Sequence, residues 1–300
     1  MELFNQELDF PFLRDNKISL AVKREDTIHP VISGNKYRKL KYNLSEAKKQ
    51  GHHTVLSFGG AYSNHIAALA YAGKEYNFRT IGVIRGEELA QRWQDNPTLK
   101  SAEHNGMQLH FLSREDYRQK EKSTVLSQLS DQFGGFYLLP EGGTNLLAVK
   151  GCEEILTAKD AYFDIICSCV GTGGTLAGLI NSAQRQQQVL GFPVLKGMFV
   201  KDTIRNFARK ENWDLVADFH FGGYAKINAQ LVQFMNHFKE KTGIQLDPVY
   251  TGKLFFGLFQ IIKRNRFKPG TRILAIHTGG LQGISGMNAV LKKKNLPLIH

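Results

Sequence analysis

In the segment SGNKYRKLKYNL, Ser33 to Leu44, a lysine stands where a cation is least welcome. Gly34-Asn35 marks the start of a helix, and Lys36 follows at once, at the positive end of the helix dipole. Tyr37, Leu40, Leu44 and Ala47 recur at helical spacing towards Gln50, and Gly51 ends the run. Lys36 lies beside that apolar stripe, one turn before Leu40, so it can point inward. The helix terminus and partial burial both disfavour its charged form, and an easily neutralised lysine is a nucleophile for carbonyls. A surface lysine that keeps its ammonium in water is the alternative.

The second stretch with chemistry in it is CVGTGGTLAGL, Cys169 to Leu179. A strand stops, the small residues Gly171, Thr172, Gly173, Gly174 and Thr175 turn the chain, and a helix starts. Exposed N–H groups and the helix dipole make such a turn an anion site, most naturally for phosphate. It is not a P-loop, because no Gly-Lys-Ser/Thr follows. It also misses the dinucleotide fingerprint, since Leu176 stands at the third glycine position and no acidic residue lies at the ribose-binding distance. The loop therefore suits one phosphate, with Thr172 and Thr175 hydroxyls as added donors. A phosphate anchor together with a carbonyl-reactive lysine points to pyridoxal 5′-phosphate.

These residues need a scaffold that brings strand ends together. Short apolar segments alternate with amphipathic ones along the chain: TVLSF, TIGVIR, MQLHFL, FYLLP, FDIICSCV, VLKGMFV and RILAI read as strands. Asn96-Pro97 reads as the cap and first position of a helix, and EDYRQKEKSTVLSQLSDQF as one long polar helix. The rhythm predicts an α/β fold with mostly parallel sheets flanked by helices, ligands sitting beyond the carboxyl ends of the strands. Four strands run into glycine-rich loops, GGAYSN, EGGTN, GTGGT and HTGG, expected to face one crevice.

The 300 residues, 42% hydrophobic and 22% charged, describe a globular protein with a substantial core. No run is apolar enough to cross a bilayer and no signal peptide is evident, so a cytoplasmic location is expected. Cys152, Cys167 and Cys169 are expected as buried reduced thiols, and no spaced Cys/His set suggests a metal. The net charge of +12 is spread along the chain rather than clustered, so neither nucleic acid nor membrane is expected as a partner. A non-catalytic polyanion-binding protein is the alternative from another class that this charge motivates.

The motifs VKRED, SGNKYRKLKY, SFGGAYSNH, PEGGTN, VGTGGTLAGL, VYTGK and HTGG, in this order from about Ala21 to Gly280, resemble those of the 1-aminocyclopropane-1-carboxylate (ACC) deaminase and D-cysteine desulfhydrase family. These are pyridoxal-phosphate enzymes with the tryptophan-synthase-β-like fold, fold type II. The resemblance implies two domains: a larger cofactor-binding one from residues 1–40 and 146–300, and a smaller α/β one from residues 41–145. It implies that Lys36 carries the cofactor as a Schiff base, that Asn64 bonds its 3′-oxygen and that Gly171–Thr175 hold its phosphate. Ser63 would meet the substrate carboxylate or assist proton transfer, unless it only caps the helix at His65. Tyr250 would act as proton donor or modulator, unless it is a core aromatic, and Thr278 would face the pyridine nitrogen, unless it is only a turn residue. A small amino acid is the implied substrate and a homodimer the expected assembly.

The chain departs from the deaminases where they typically read Tyr-Glu-Gly-Lys, for it reads Tyr250-Thr251-Gly252-Lys253. That glutamate can keep the pyridine nitrogen protonated, whereas Thr251 and Thr278 are neutral. Ser33 and Tyr62 also replace residues usual in either branch. The wording SGNK separates the chain from serine/threonine dehydratase and cysteine-synthase relatives. The expectation is therefore elimination from D-cysteine or a similar amino acid, ahead of ACC ring opening.

Overall fold

The computed structural model describes residues 3–32, 34–197 and 200–300, so Ser33 lies outside the described residues. Among them the strands are β1 (Asn5–Leu8), β2 (Ser19–Lys23), β3 (Thr54–Gly59), β4 (Arg79–Arg85), β5 (Met107–Leu112), β6 (Tyr137–Leu139), β7 (Ile165–Val170), β8 (Gln188–Pro193), β9 (Trp213–Leu215) and β10 (Arg272–Ile276). The α-helices are α1 (Pro11–Asp15), α2 (Asn35–Lys49), α3 (Asn64–Tyr76), α4 (Pro97–His104), α5 (Arg114–Arg118), α6 (Ser123–Phe133), α7 (Leu146–Glu153), α8 (Gly174–Ser182), α9 (Val200–Arg205), α10 (Ala229–Thr242), α11 (Thr251–Lys263) and α12 (Ile284–Lys293). None is long and apolar enough to cross a membrane. The strands form a six-stranded sheet in the order β1-β2-β10-β7-β8-β9 and a four-stranded sheet in the order β5-β4-β3-β6. Every pairing is parallel except β1 with β2. This is the α/β architecture with mostly parallel sheets that the alternating pattern predicts.

The chain divides into two compact units, residues 1–38 with 149–300 and residues 39–148. In the first, the central strands are apolar on both faces because each face has its own helical cover. Cys167 and Cys169 of β7, with Ile273 and Ala275 of β10, join a core completed by Leu231, Met235 and Phe238 of α10 and Leu254, Phe255, Leu258 and Phe259 of α11. The alternate residues Ile166, Val170, Leu274 and Ile276 face a second core with Leu176, Leu179 and Ile180 of α8. Cys152, Cys167 and Cys169 are all buried and none is in a disulfide among the described residues. In the second unit, Leu56, Phe58, Ile81 and Val83 pack with Tyr117, Leu129 and Phe133. Asn96 caps α4 as its sequence predicts, accepting from Thr98 and Leu99 N–H at 3.0 Å each.

Two expectations are corrected. The long polar helix is broken into α5 and α6, because residues 119–122 (Gln-Lys-Glu-Lys) offer no apolar side chain to hold a continuous helix down. Lys120 instead lies over the Tyr117 ring and pairs with Glu141 at 3.2 Å. The strand expected over VLKGMFV lies earlier, at β8; residues 194–197 are irregular and Met198-Phe199 lie outside the described residues. Gly191 and Pro193 hide β8 in the sequence. Gly191 is there because a side chain would meet Leu176, Leu215 and Val170 within 2.5–2.8 Å, and Pro193 ends the strand.

Lys253 of the YTGK motif is buried, its Nζ donating to the carbonyls of His220 at 2.9 Å and Gly223 at 2.7 Å. Burial lowers its pKa from 10.5 to about 8, opposed by Asp247. Between those values the unfolded chain binds a proton that the folded chain does not, so this lysine adds stability as pH rises through the interval and loses it as pH falls through about 8. Urea unfolding followed across that range should therefore show a stability gain that Lys253→Met lacks. Parallel pH profiles for the two proteins would contradict it.

Candidate active site

The segment around Glu25, the loop after β10 and the start of α8 meet the start of α2. Asn35, its first residue, donates from its backbone N–H to the Thr278 carbonyl at 3.3 Å and from Nδ2 to Thr175 Oγ1 at 2.8 Å. Gly34 has φ +64°, and a Cβ there would collide with the Thr278 carbonyl, so only glycine allows this approach. The turn is fixed from outside by Glu25, which is fully buried: its carbonyl accepts Gly34 N–H at 3.1 Å and its carboxylate takes Arg38 in a two-bond fork at 2.9 and 3.0 Å. Half-buried Lys36 follows Asn35, so its backbone is held between the loop after β7 and the loop after β10. The charge of Lys36 reaches the Cys169 thiol at the end of β7.

Beyond β7, Gly171–Thr175 make the turn read from the sequence. Gly173 is left-handed at φ +86°, and the first bond of α8 runs from Ala177 N–H to Gly173 O at 2.9 Å. The N–H groups of Gly174, Thr175 and Leu176 are thus the helix-terminal donors without an intrahelical acceptor. Thr175 is buried and its hydroxyl accepts from Asn35, which leaves the hydroxyl hydrogen for another acceptor. Thr172 is exposed at the tip of the turn. Thr278 is buried at the end of β10, its Oγ1 3.2 Å from Cys169 Sγ. Burial pushes the Cys169 thiol up to about 12, so sulfur keeps its hydrogen at neutral pH.

Tyr250 immediately precedes α11, its ring edge packed on Gly171, where a Cβ would stand 3.0 Å away. Burial pushes its phenol well above the usual value, and neighbouring Tyr224 adds to the shift, so it keeps its proton. Tyr224 meets it edge-on, centroids 6.1 Å apart, with Tyr250 hydroxyl donating to Tyr224 hydroxyl at 3.5 Å. Thr251 is committed elsewhere. Its Oγ1 donates to Asp247 Oδ1 at 2.9 Å and accepts from Asp247 N–H at 2.8 Å, while Val249, Tyr250 and Thr251 N–H groups complete the ring of donors around that carboxylate.

The second unit contains Ser63 and Asn64, both half-buried. Ser63 does cap α3, its Oγ accepting from Ile66 N–H at 3.3 Å, and Asn64 opens the helix. His65 Nε2 bonds Ser57 Oγ at 2.8 Å, Ser57 donates to Leu139 O at 2.8 Å, and Gly143 fits against the His65 ring. The loops GGAYSN and EGGTN are thereby tied to one another. Lys39 is buried and fastens α2 to the second loop, Nζ donating to Gly142 O at 3.1 Å and Thr144 Oγ1 at 2.8 Å. Sequence reasoning turned only Lys36 inward and missed Lys39, although Lys39 sits directly before Leu40 on the same apolar side. It also missed Tyr224, whose segment shows no motif.

The residues of the first unit fit pyridoxal phosphate on two structural counts. The N-terminus of α8 offers backbone donors and the Thr175 hydroxyl to one phosphate. Lys36 emerges from a backbone bonded both to that loop, through Asn35, and to Thr278.

The comparisons with known proteins agree. The family model for pyridoxal-phosphate dependent enzymes matches residues 6–279. A Thermotoga maritima protein provisionally named an ACC deaminase is 34% identical over 289 residues, covering 89% of this chain and 90% of its own. The bifunctional mitochondrial D-cysteine desulfhydrase/ACC deaminase of Arabidopsis thaliana is 30% identical over 298 residues, covering 90% of this chain and 74% of its own. The crystal structure of an ACC deaminase homologue superimposes with a TM-score of 0.85 at 28% identity, over 98% of this chain and 94% of that one. Arrangement, family match and relatives converge, and the chain belongs to the pyridoxal-phosphate dependent enzymes, in the ACC deaminase/D-cysteine desulfhydrase family.

Proposed function

We propose that the enzyme eliminates sulfide from D-cysteine, or from a closely similar β-substituted amino acid, to give pyruvate, sulfide and ammonia with uptake of one water. The observation that carries this reading is the neutrality of the hydroxyl groups at the two positions where the family tunes the pyridine nitrogen. Thr278 has a protonated thiol beside it, and Thr251 is bound to Asp247, whose carboxylate is already saturated with donors. When bound, pyridoxal phosphate supplies an electron sink for bonds at the amino-acid α-carbon. A neutral partner for its ring nitrogen makes that sink weaker, which suffices where an α-proton is removed and a good leaving group departs. Opening the ring of ACC starts without an α-proton and asks for more.

In this reading Lys36 would hold the cofactor covalently, and its Nζ would take the α-proton of the substrate. The N–H groups of Gly174, Thr175 and Leu176, with the hydroxyl of Thr175, hold the phosphate, and Gly171, Thr172 and Gly173 shape the turn. Asn64 would bond the 3′-oxygen and Thr278 would face the pyridine nitrogen, as the family resemblance implies. Ser63 Oγ meets the substrate carboxylate while also capping α3. Tyr250, kept protonated by its raised pKa, gives its phenolic proton towards the leaving sulfur. The cofactor is assigned to the domain of residues 1–40 and 146–300, the smaller domain being residues 41–145.

The names of the relatives favour ACC deamination as the second reading, with 2-oxobutyrate and ammonia as products. A panel of D-cysteine, L-cysteine, D-serine and ACC, scored for sulfide, pyruvate, 2-oxobutyrate and ammonia, separates the two. Sulfide with equimolar pyruvate from D-cysteine and little 2-oxobutyrate is the expected outcome. Efficient 2-oxobutyrate release from ACC with no sulfur products would refute the elimination reading. Lys36 is tested apart from substrate. Borohydride treatment should fix a pyridoxyl group on the peptide containing Lys36, and Lys36→Ala should abolish the label and lower turnover by about a thousandfold or more, within the range that losing a proton-transfer group causes. Label on another lysine would overturn the assignment.

A further inference from the structure

Thr278 carries one hydroxyl hydrogen, and its direction decides what the side chain offers to a heterocyclic nitrogen. If the hydrogen points to Cys169, the oxygen lone pairs are left for the ring, and a protonated nitrogen is favoured. If Cys169 donates to Thr278 Oγ1, the hydroxyl hydrogen is left for the ring, and only an unprotonated nitrogen can accept it. The contact itself is built into the sheet. Cys169 and Thr278 lie at the carboxyl ends of the neighbouring strands β7 and β10, both side chains are buried, and Sγ and Oγ1 are 3.2 Å apart.

Three features select the second arrangement. The hydroxyl hydrogen is better satisfied by a nitrogen lone pair than by thiol sulfur, a weak acceptor, while the S–H, a weak donor, can still be satisfied by the hydroxyl oxygen. Burial raises the thiol to about 12, so the donor hydrogen is present throughout the neutral range. The charges that act on this thiol are the Lys36 ammonium and the Asp247 carboxylate. In the holoenzyme the Lys36 amine is taken up by the cofactor, and the Asp247 carboxylate is taken up by backbone donors and Thr251, so that carboxylate is not left to hold a protonated nitrogen.

Resting on the proposed placement of Thr278 against the pyridine nitrogen, we propose that Cys169 is a positioning residue, donating its S–H to Thr278 Oγ1 so that the Thr278 hydroxyl donates to that nitrogen and keeps it unprotonated. Cys169 touches neither substrate nor cofactor in this scheme. It sets the polarity of one hydrogen bond and, through it, the strength of the electron sink. The chain thereby uses a buried thiol to reinforce the neutrality that Thr251 and Thr278 establish in place of a glutamate.

The test is the ¹⁵N NMR signal of holoenzyme reconstituted with ring-¹⁵N-labelled pyridoxal phosphate, a readout independent of turnover. The wild-type signal should sit at the position of an unprotonated pyridine. Cys169→Ala should move it towards the protonated position, and Cys169→Val, which fills the space without an S–H, should do the same if the alanine variant folds poorly. Cys169→Ser, which restores a donor, should keep the wild-type position. Thr278→Val separates the two layers of the argument. A shift with Thr278→Val but none with Cys169→Ala or Cys169→Val overturns the role of Cys169 alone. No shift with Thr278→Val overturns the placement of Thr278, and the inference with it. A protonated signal in the wild type overturns the inference directly.

Discussion

The close approach of Gly34-Asn35 to the ends of β7 and β10 is the constraint on which the candidate site depends. The place of a Gly34 side chain is taken by the carbonyl of Thr278, and Asn35 spans from that carbonyl to the hydroxyl of Thr175. Because the helix must begin there, its second residue, Lys36, has its backbone fixed relative to the turn after β7 on one side and a buried threonine on the other. The fork between Arg38 and the fully buried Glu25 holds the same turn from behind. Replacing one partner of such a buried pair leaves an uncompensated charge, at a cost of about 3–5 kcal/mol, so the turn is strongly determined. A lysine at a helix N-terminus, poor design for a surface, suits the carbonyl-reactive role proposed for Lys36.

A second theme is where the charges are spent. Asp247 lies close enough to act on Cys169, Tyr250 and Lys253, yet its oxygens are occupied by backbone N–H groups and the Thr251 hydroxyl. The carboxylate therefore shapes the start of α11 and places Tyr250, instead of serving a ligand. A glutamate at position 251 would bring a second carboxylate against it. Threonine suits both the local cap and the neutral chemistry, so the local fold and the proposed reaction ask for the same residue.

Much of this was legible in the sequence. Glycine-rich turns after apolar runs, and the order of the motifs, gave the α/β fold and the family, because a strand that stops at a ligand needs small residues and exposed N–H groups. Gly171–Thr175 were singled out that way, and Lys36 by its place at a helix start, and their roles toward the cofactor are part of the proposal. Other features were hidden for physical reasons. β8 contains a glycine and a proline because neighbours crowd one position and the strand ends at the other. Lys39 and Lys253 look like surface lysines, and only the folded chain shows backbone carbonyls waiting for each. Tyr224 reaches Tyr250 from a loop whose Phe221 and Ala225 adopt left-handed backbone conformations, which no local pattern announces. The contact between Cys169 and Thr278 joins residues 109 apart, and strand pairing alone brings them together.

A crystal structure of the enzyme grown with pyridoxal phosphate tests the central claim most directly. The account predicts continuous density from Lys36 Nζ to the cofactor, the phosphate on the N–H groups of Gly174, Thr175 and Leu176, and the pyridine nitrogen at Thr278. Cofactor attached to another lysine, or a phosphate bound away from the start of α8, would contradict it.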